Sequence, residues 1–132
     1  MSWAEGQALQ PLVLPPLTRE QLADYAAASK DHNPIHLDET FAKNLGFPSV
    51  IVHGMLSMAF LADHLSANFP QKSYHVSRFR VRFRKVTYPG DVLTCKGEVK
   101  SVLPDGKLLV AVRTESQKGE VTTDAEAEVT PV

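Results

Sequence analysis

The spacing of apolar and polar positions changes partway along the chain, from a helical period to strict alternation. Thr18 followed by Gln21 has the spacing of a capping box, and Leu22, Tyr25, Ala26 and Ser29 then recur at helical intervals on a mostly apolar face. This predicts a helix from about Thr18 to Ser29. Asp38 can cap a second, short helix through Thr40, Phe41 and Ala42, which Gly46 and then Pro48 would end. A third helix is expected to begin near His53 or Gly54. It runs through Met55, Leu56, Met58, Phe60, Leu61 and Leu65 to about Asn68, before Pro70 stops it. Its opening turns are apolar on nearly every side, which predicts a buried helix.

Beyond Pro70 the period is 2. Phe79, Val81 and Phe83 alternate with Arg78, Arg80, Arg82 and Arg84, as in a strand with one dry face. Tyr88-Pro89-Gly90-Asp91 and Leu103-Pro104-Asp105-Gly106 are turn sequences that separate further strands. Leu93, Cys95 and Val99 share one face of the first of these, Leu108, Val110 and Val112 one face of the next, and Ala125, Ala127 and Val129 one face of the last. The second half therefore reads as an antiparallel meander. An apolar helix followed by four half-buried strands implies an α+β fold, a curved antiparallel sheet wrapped around one long central helix. Pairing two such sheets edge to edge would remove an exposed edge strand, so a homodimer is the expected unit.

Composition narrows the function classes. A chain of 132 residues, 43% apolar and 22% charged, is the size and type of one globular domain spanning 1–132. A net charge of -1 with no dense Lys/Arg run lacks the footprint of a nucleic-acid binder. Met1 to Gln10 does not read as a secretory signal, so the cytoplasm is the default, and the apolar stretch Met55 to Ala62 is too short to insert in a membrane. Cys95 is the only cysteine, which leaves it a small buried apolar residue rather than a disulfide or zinc ligand.

The segment Ser29-Lys30-Asp31-His32-Asn33-Pro34-Ile35-His36 groups a carboxylate, an amide and imidazoles around a proline. Pro34 disfavours helical geometry at Asn33 and predicts a fixed, non-helical turn on which Asp31 and His36 can converge. Such a pair can move one proton in each direction near neutral pH. The same residue types are also ordinary turn and capping residues. His32 and His36 have the spacing of a helical two-histidine metal site, but Pro34 interrupts the helix it needs, so no metal is expected. A second segment, Ile51-Val52-His53-Gly54-Met55, leads directly into the apolar helix. The unpaired amides at such a helix start can hold a carbonyl oxygen as it gains charge, and Gly54 allows close approach to its N–H.

Together the two segments resemble the R-specific enoyl-CoA hydratase and MaoC-like dehydratase family. Its signature is a Tyr, then Ser-Gly-Asp-x-Asn-Pro-x-His, then a small residue. The matching positions are Tyr25, Ser29, Asp31, Asn33, Pro34, His36 and Ala42, followed by the helix start His53, Gly54 and Met55 and the turn Tyr88-Pro89-Gly90-Asp91. The resemblance implies a hot-dog fold and a hydro-lyase of fatty acid metabolism that needs no cofactor. Asp31 and His36 would hold the water that adds to a 2-enoyl thioester of coenzyme A or acyl-carrier protein, giving an (R)-3-hydroxyacyl product. Asn33 would brace the turn or bind water, Gly54 would polarise the carbonyl, and Met55 and Met58 could line an acyl pocket. Lys30 departs from the pattern, which has Gly there. A positive φ at that position would cost a lysine roughly 1 to 2 kcal/mol and could displace Asp31, whereas an ordinary conformation could bring the ammonium to Asp31.

The rival readings are an acyl-CoA thioesterase on the same fold and a non-catalytic partner subunit of a heteromeric dehydratase. The arginine row on Arg78 to Arg84 is expected to pair across the sheet with Asp124, Glu126 and Glu128, rather than form a docking surface. His64 and His75 are expected at the surface or at sheet ends.

Overall fold

A computed structural model describes residues 2–132; Met1, where the N-terminal reading begins, lies outside the described residues. The three expected helices are α1 (Arg19–Ser29), α2 (Glu39–Asn44) and α3 (Gly54–Asn68). The Thr18 side chain accepts a hydrogen bond from Gln21 N at 3.1 Å, and Asp38 accepts one from Phe41 N at 3.1 Å. Both caps satisfy amides that a helix start leaves unpaired. Gly46, at φ 95°, follows the end of α2.

The strands are β1 (Leu12–Val13), β2 (Tyr74–Phe83), β3 (Thr94–Val102), β4 (Leu108–Glu115) and β5 (Val121–Pro131), all antiparallel, in the spatial order β1-β3-β4-β5-β2. Only β3, β4 and β5 form the expected meander. The first alternating strand, β2, lies at the opposite edge and pairs with β5 rather than with its successor in sequence. Its register sets Arg78 opposite Glu128, Arg80 opposite Glu126 and Arg82 opposite Asp124, the cross-strand charge match expected of the two rows. Asp124 is paired with both Arg82 and Arg84, while Glu126 is paired with Lys100. The short β1 was not legible as a strand. It continues an N-terminal run along β3 in which Gly6 N donates to Val99 O at 2.7 Å, Val99 N to Gln7 O at 2.9 Å and Leu9 N to Gly97 O at 2.9 Å.

Helix α3 packs against β3, β4 and β5. Leu61 and Leu65 are fully buried against a sheet face carrying Cys95, Val99, Val110, Val112 and Val129. Each such side chain contributes roughly 2 kcal/mol on burial. Ala125 and Ala127 leave room for the helix. This is the sheet-around-helix arrangement expected, with one correction: α3 is not buried on all sides. Met55 is 56% exposed, because the sheet covers only the face bearing Leu56, Phe60 and Leu61. Among the described residues no helix is long and apolar enough to cross a membrane.

The buried thiol of Cys95 donates to Phe60 O at 3.7 Å, and burial pushes its pKa up to about 12, which leaves it unreactive as a nucleophile. His75 is exposed as expected, but His64 is not. It lies on the core side of α3, completely buried, and its Nε2–H donates to Gln10 O at 2.8 Å. Asn68 clasps the same residue, donating to Gln10 O and accepting from Gln10 N. The N-terminal run thus supplies the polar partner that makes a buried histidine tolerable on one nitrogen. Nδ1 has none.

Burial lowers the pKa of His64, and of His53, below the ordinary histidine value. The unfolded chain, titrating near 6.5, therefore binds more protons than the folded one as pH falls below about 6.5, and stability drops there. The urea midpoint should be flat above about pH 7 and fall between about pH 6.5 and 5, less steeply in His64→Leu. A pH-independent midpoint over that range would contradict this.

Candidate active site

The motif spacing has a direct structural cause. Ser29 Oγ accepts from Asp31 N at 3.2 Å, Asp31 Oδ1 from Asn33 N at 3.3 Å, and Asn33 Oδ1 from Ile35 N at 3.1 Å. Each side chain holds the amide two residues on, so a polar residue at every second position stiffens the turn. Pro34 then opens a single 3-10 turn, Pro34–His36, where a non-helical turn was expected. Its fixed φ and missing N–H suit the first position of a helical turn, and Asn33 caps it. Asn33 Oδ1 thereby braces the turn.

These bonds also aim the two chemical groups. With Oδ1 occupied by Asn33 N, Asp31 presents Oδ2 to His36 Nε2 at 3.9 Å. His36 Nδ1 lies 2.8 Å from Ile51 O. A carbonyl can only accept, so Nδ1 carries the proton and Nε2 offers a lone pair toward the carboxylate. A water molecule hydrogen-bonded to both fits the 3.9 Å separation. The carboxylate is half-exposed and the imidazole mostly buried.

Lys30 has φ 62° and ψ 22°, the only residue other than glycine with positive φ among the described residues. It terminates α1 in the left-handed conformation usually filled by Gly. Of the two outcomes weighed for this lysine, the strained backbone is the one present, and no ion pair with Asp31 is made among the described residues. Asp31 nevertheless faces His36, held by the hydrogen-bonded turn.

His36 is joined to the second segment by Ile51, whose N–H also bonds Ile35 O at 3.1 Å. That segment delivers the start of α3. No side chain caps the helix, and the described residues supply no acceptor to the Gly54 amide. A cavity of about 250 Å³ opens there, lined by His36, Val52, Gly54, Ser57, Phe83 and Thr87 among others. A β-carbon at Gly54 would meet the Phe83 ring at 3.1–3.3 Å, so glycine here accommodates that ring. Met55 and Met58 do not line the cavity; Gly54 and Ser57, one helical turn apart, turn toward it, while Met55 projects outward. A larger hollow of about 470 Å³ lies away from the motif, on the polar sheet face among Arg80, Arg82, Arg113, Glu98, Asp124 and Glu126, whose charges are of both signs.

The residue the motif reading left without a role is His53. It is buried, its ring is stacked on His36 with centroids 3.8 Å apart and planes 23° apart, and its Nε2–H donates to Asp31 O at 3.3 Å. Its place at the junction of an extended segment and an apolar helix was the available signal. Asp31, His36 and His53 bring ligand-capable atoms within 4.8 Å of one another. Stacked, near-parallel rings cannot aim in-plane lone pairs at one point, so the three fit a metal ion poorly. His32 is exposed.

The model of the MaoC like domain family matches residues 4–127. The chain belongs to this family. It is 32% identical to an (R)-specific enoyl-CoA hydratase of Aeromonas caviae over 110 residues, covering 83% of this chain and 82% of that protein. It is 42% identical over 69 residues to 3-hydroxyacyl-thioester dehydratase X of Mycobacterium tuberculosis, covering 52% of this chain and 23% of that protein. The chain therefore spans about a quarter of that longer relative. Among solved structures, an (R)-hydratase from A. caviae involved in PHA biosynthesis superposes with a TM-score of 0.88 at 30% identity, covering 98% of this chain and 97% of that one. The sheet and helix of this MaoC-like chain are thus a hot-dog fold.

Relieving the strain at Lys30 should stabilise the protein. Lys30→Gly is expected to raise unfolding free energy by about 0.5–1 kcal/mol, the left-handed penalty less the extra chain entropy of glycine. Denaturant unfolding of the two proteins checks it, and a destabilised variant would mean that the lysine side chain makes a compensating contact.

Proposed function

We propose that Asp31 and His36 are the acid/base pair of a hydro-lyase that adds water across the double bond of a trans-2-enoyl thioester, giving an (R)-3-hydroxyacyl thioester, or removes it in reverse. The observation that carries this assignment is the alignment of His36 Nε2, its lone pair freed by the Nδ1–H bond to Ile51 O, with Asp31 Oδ2 at 3.9 Å. A water held between them loses a proton to the pair as its oxygen bonds to the β-carbon. The electron pair of the double bond moves toward the thioester, and the Gly54 N–H stabilises the oxygen that gains charge. The pair then returns one proton to the α-carbon, so that one water is added in all.

The cavity beside Gly54 receives the acyl group between His36 and the Phe83 ring. Thioesters of coenzyme A or of acyl-carrier protein both present the carbonyl this site needs. The working unit is a homodimer formed through β2, in our reading. That strand is a sheet edge, paired only with β5, and Val76 and Phe83 on it are 42% and 55% exposed. Long uncovered edges with apolar side chains invite pairing with another chain.

With crotonyl-CoA, the purified protein should remove the enone absorbance without releasing thiol. Asp31→Asn and His36→Gln should each lower the rate about 10²-fold or more while leaving thermal unfolding cooperative. Near-wild-type turnover in either variant removes this assignment, and thiol release in place of hydration would make the chain a thioesterase.

A further inference from the structure

One buried side chain touches both members of the pair and begins the helix that carries the third component of the site. His53 lies under the His36 ring at 3.8 Å, its Nε2–H holds the Asp31 carbonyl at 3.3 Å, and it is the residue from which α3 starts at Gly54. It lacks the features of a proton carrier. It is 1% exposed, its Nε2–H is spent on a backbone carbonyl, and its Nδ1 has no partner. A second proton would have to be placed on that enclosed Nδ1, where it would find no acceptor.

We propose that His53 is the positioning residue of this site: its neutral ring face seats the His36 imidazole in plane, and its N–H fixes the Asp31 backbone. The inference rests on the Asp31–His36 reading above. When His36 takes up the proton of the attacking water it becomes a cation lying on an aromatic face, an arrangement that favours the charged form. A protonated His53 would oppose it. The groups packed against the ring among the described residues are Tyr25 of α1, with centroids 4.8 Å away, and Asp31 and His36 of the turn. None of them offers Nδ1 an acceptor that would stabilise a second proton. Burial, the largest influence on this ring, holds its pKa below the ordinary histidine range against the opposing pull of the Asp31 carbonyl and carboxylate, and charge on His36 acts in the same direction as burial.

Two substitutions separate the two duties. His53→Phe keeps a ring face beneath His36 and loses the bond to Asp31 O. It should lower kcat about tenfold with KM little changed, and leave the acid limb of the kcat profile where it is in the wild type. His53→Leu loses the face as well; kcat should fall further, and the acid limb of the kcat profile should move to lower pH. In the wild-type protein the His53 ring should stay neutral by NMR across the neutral and alkaline range, since burial lowers its pKa. If both variants fold and keep wild-type kcat and acid limb while His36→Gln is inactive, the positioning role is overturned and the pair survives. Protonation of His53 within that range would overturn it too. If His36→Gln is itself active, the pair falls and this inference with it. Should His53→Leu fail to fold, the kcat, KM and acid limb of His53→Phe decide.

Discussion

The site depends above all on the hydrogen bond that joins two segments 15 positions apart, that from His36 Nδ1–H to the carbonyl of Ile51. It decides which nitrogen of the imidazole is free, and it ties the polar turn to the extended run that opens α3. Without it the turn could still form from its own side chain to backbone bonds, but its lone pair would have no fixed direction. The neighbouring backbone bond from Ile51 N to Ile35 O reinforces the same junction.

The rest of the fold serves that junction by supplying rigidity from behind. The sheet clasps one face of α3 with fully buried leucines and valines, so the helix start cannot drift. The opposite side of the helix start is left open, where the cavity lies beside Phe83. Lys30 illustrates the cost of the design: the chain must turn sharply out of α1 to deliver Asp31, and it does so through a left-handed lysine. Three consecutive side-chain bonds from Ser29 to Ile35 hold the turn despite that strain.

Much of this was legible in the sequence because it is local. Thr18 and Asp38 announced their helices by hydrogen bonds within a single turn, and the Arg and acidic rows announced a strand register that β2 and β5 adopt. What escaped was decided by long-range packing. The edge position of β2 follows from a ten-residue crossover, not from any residue in the strand; Phe83 and Thr94 bound it. The burial of His64 depends on Gln10, 54 positions away, and the exposure of Met55 on how far the sheet curls round α3. The stack of His53 on His36 likewise requires α3 and the turn to be seen together.

The account stands or falls on where the elements of water end up. Incubating crotonyl-CoA with the purified protein in deuterated water, then determining the product by NMR and chiral analysis, tests this in one experiment. The expected product is the (R)-3-hydroxy thioester carrying a single deuterium on the α-carbon. Unchanged enoyl thioester, free coenzyme A, or a product of S configuration would contradict it.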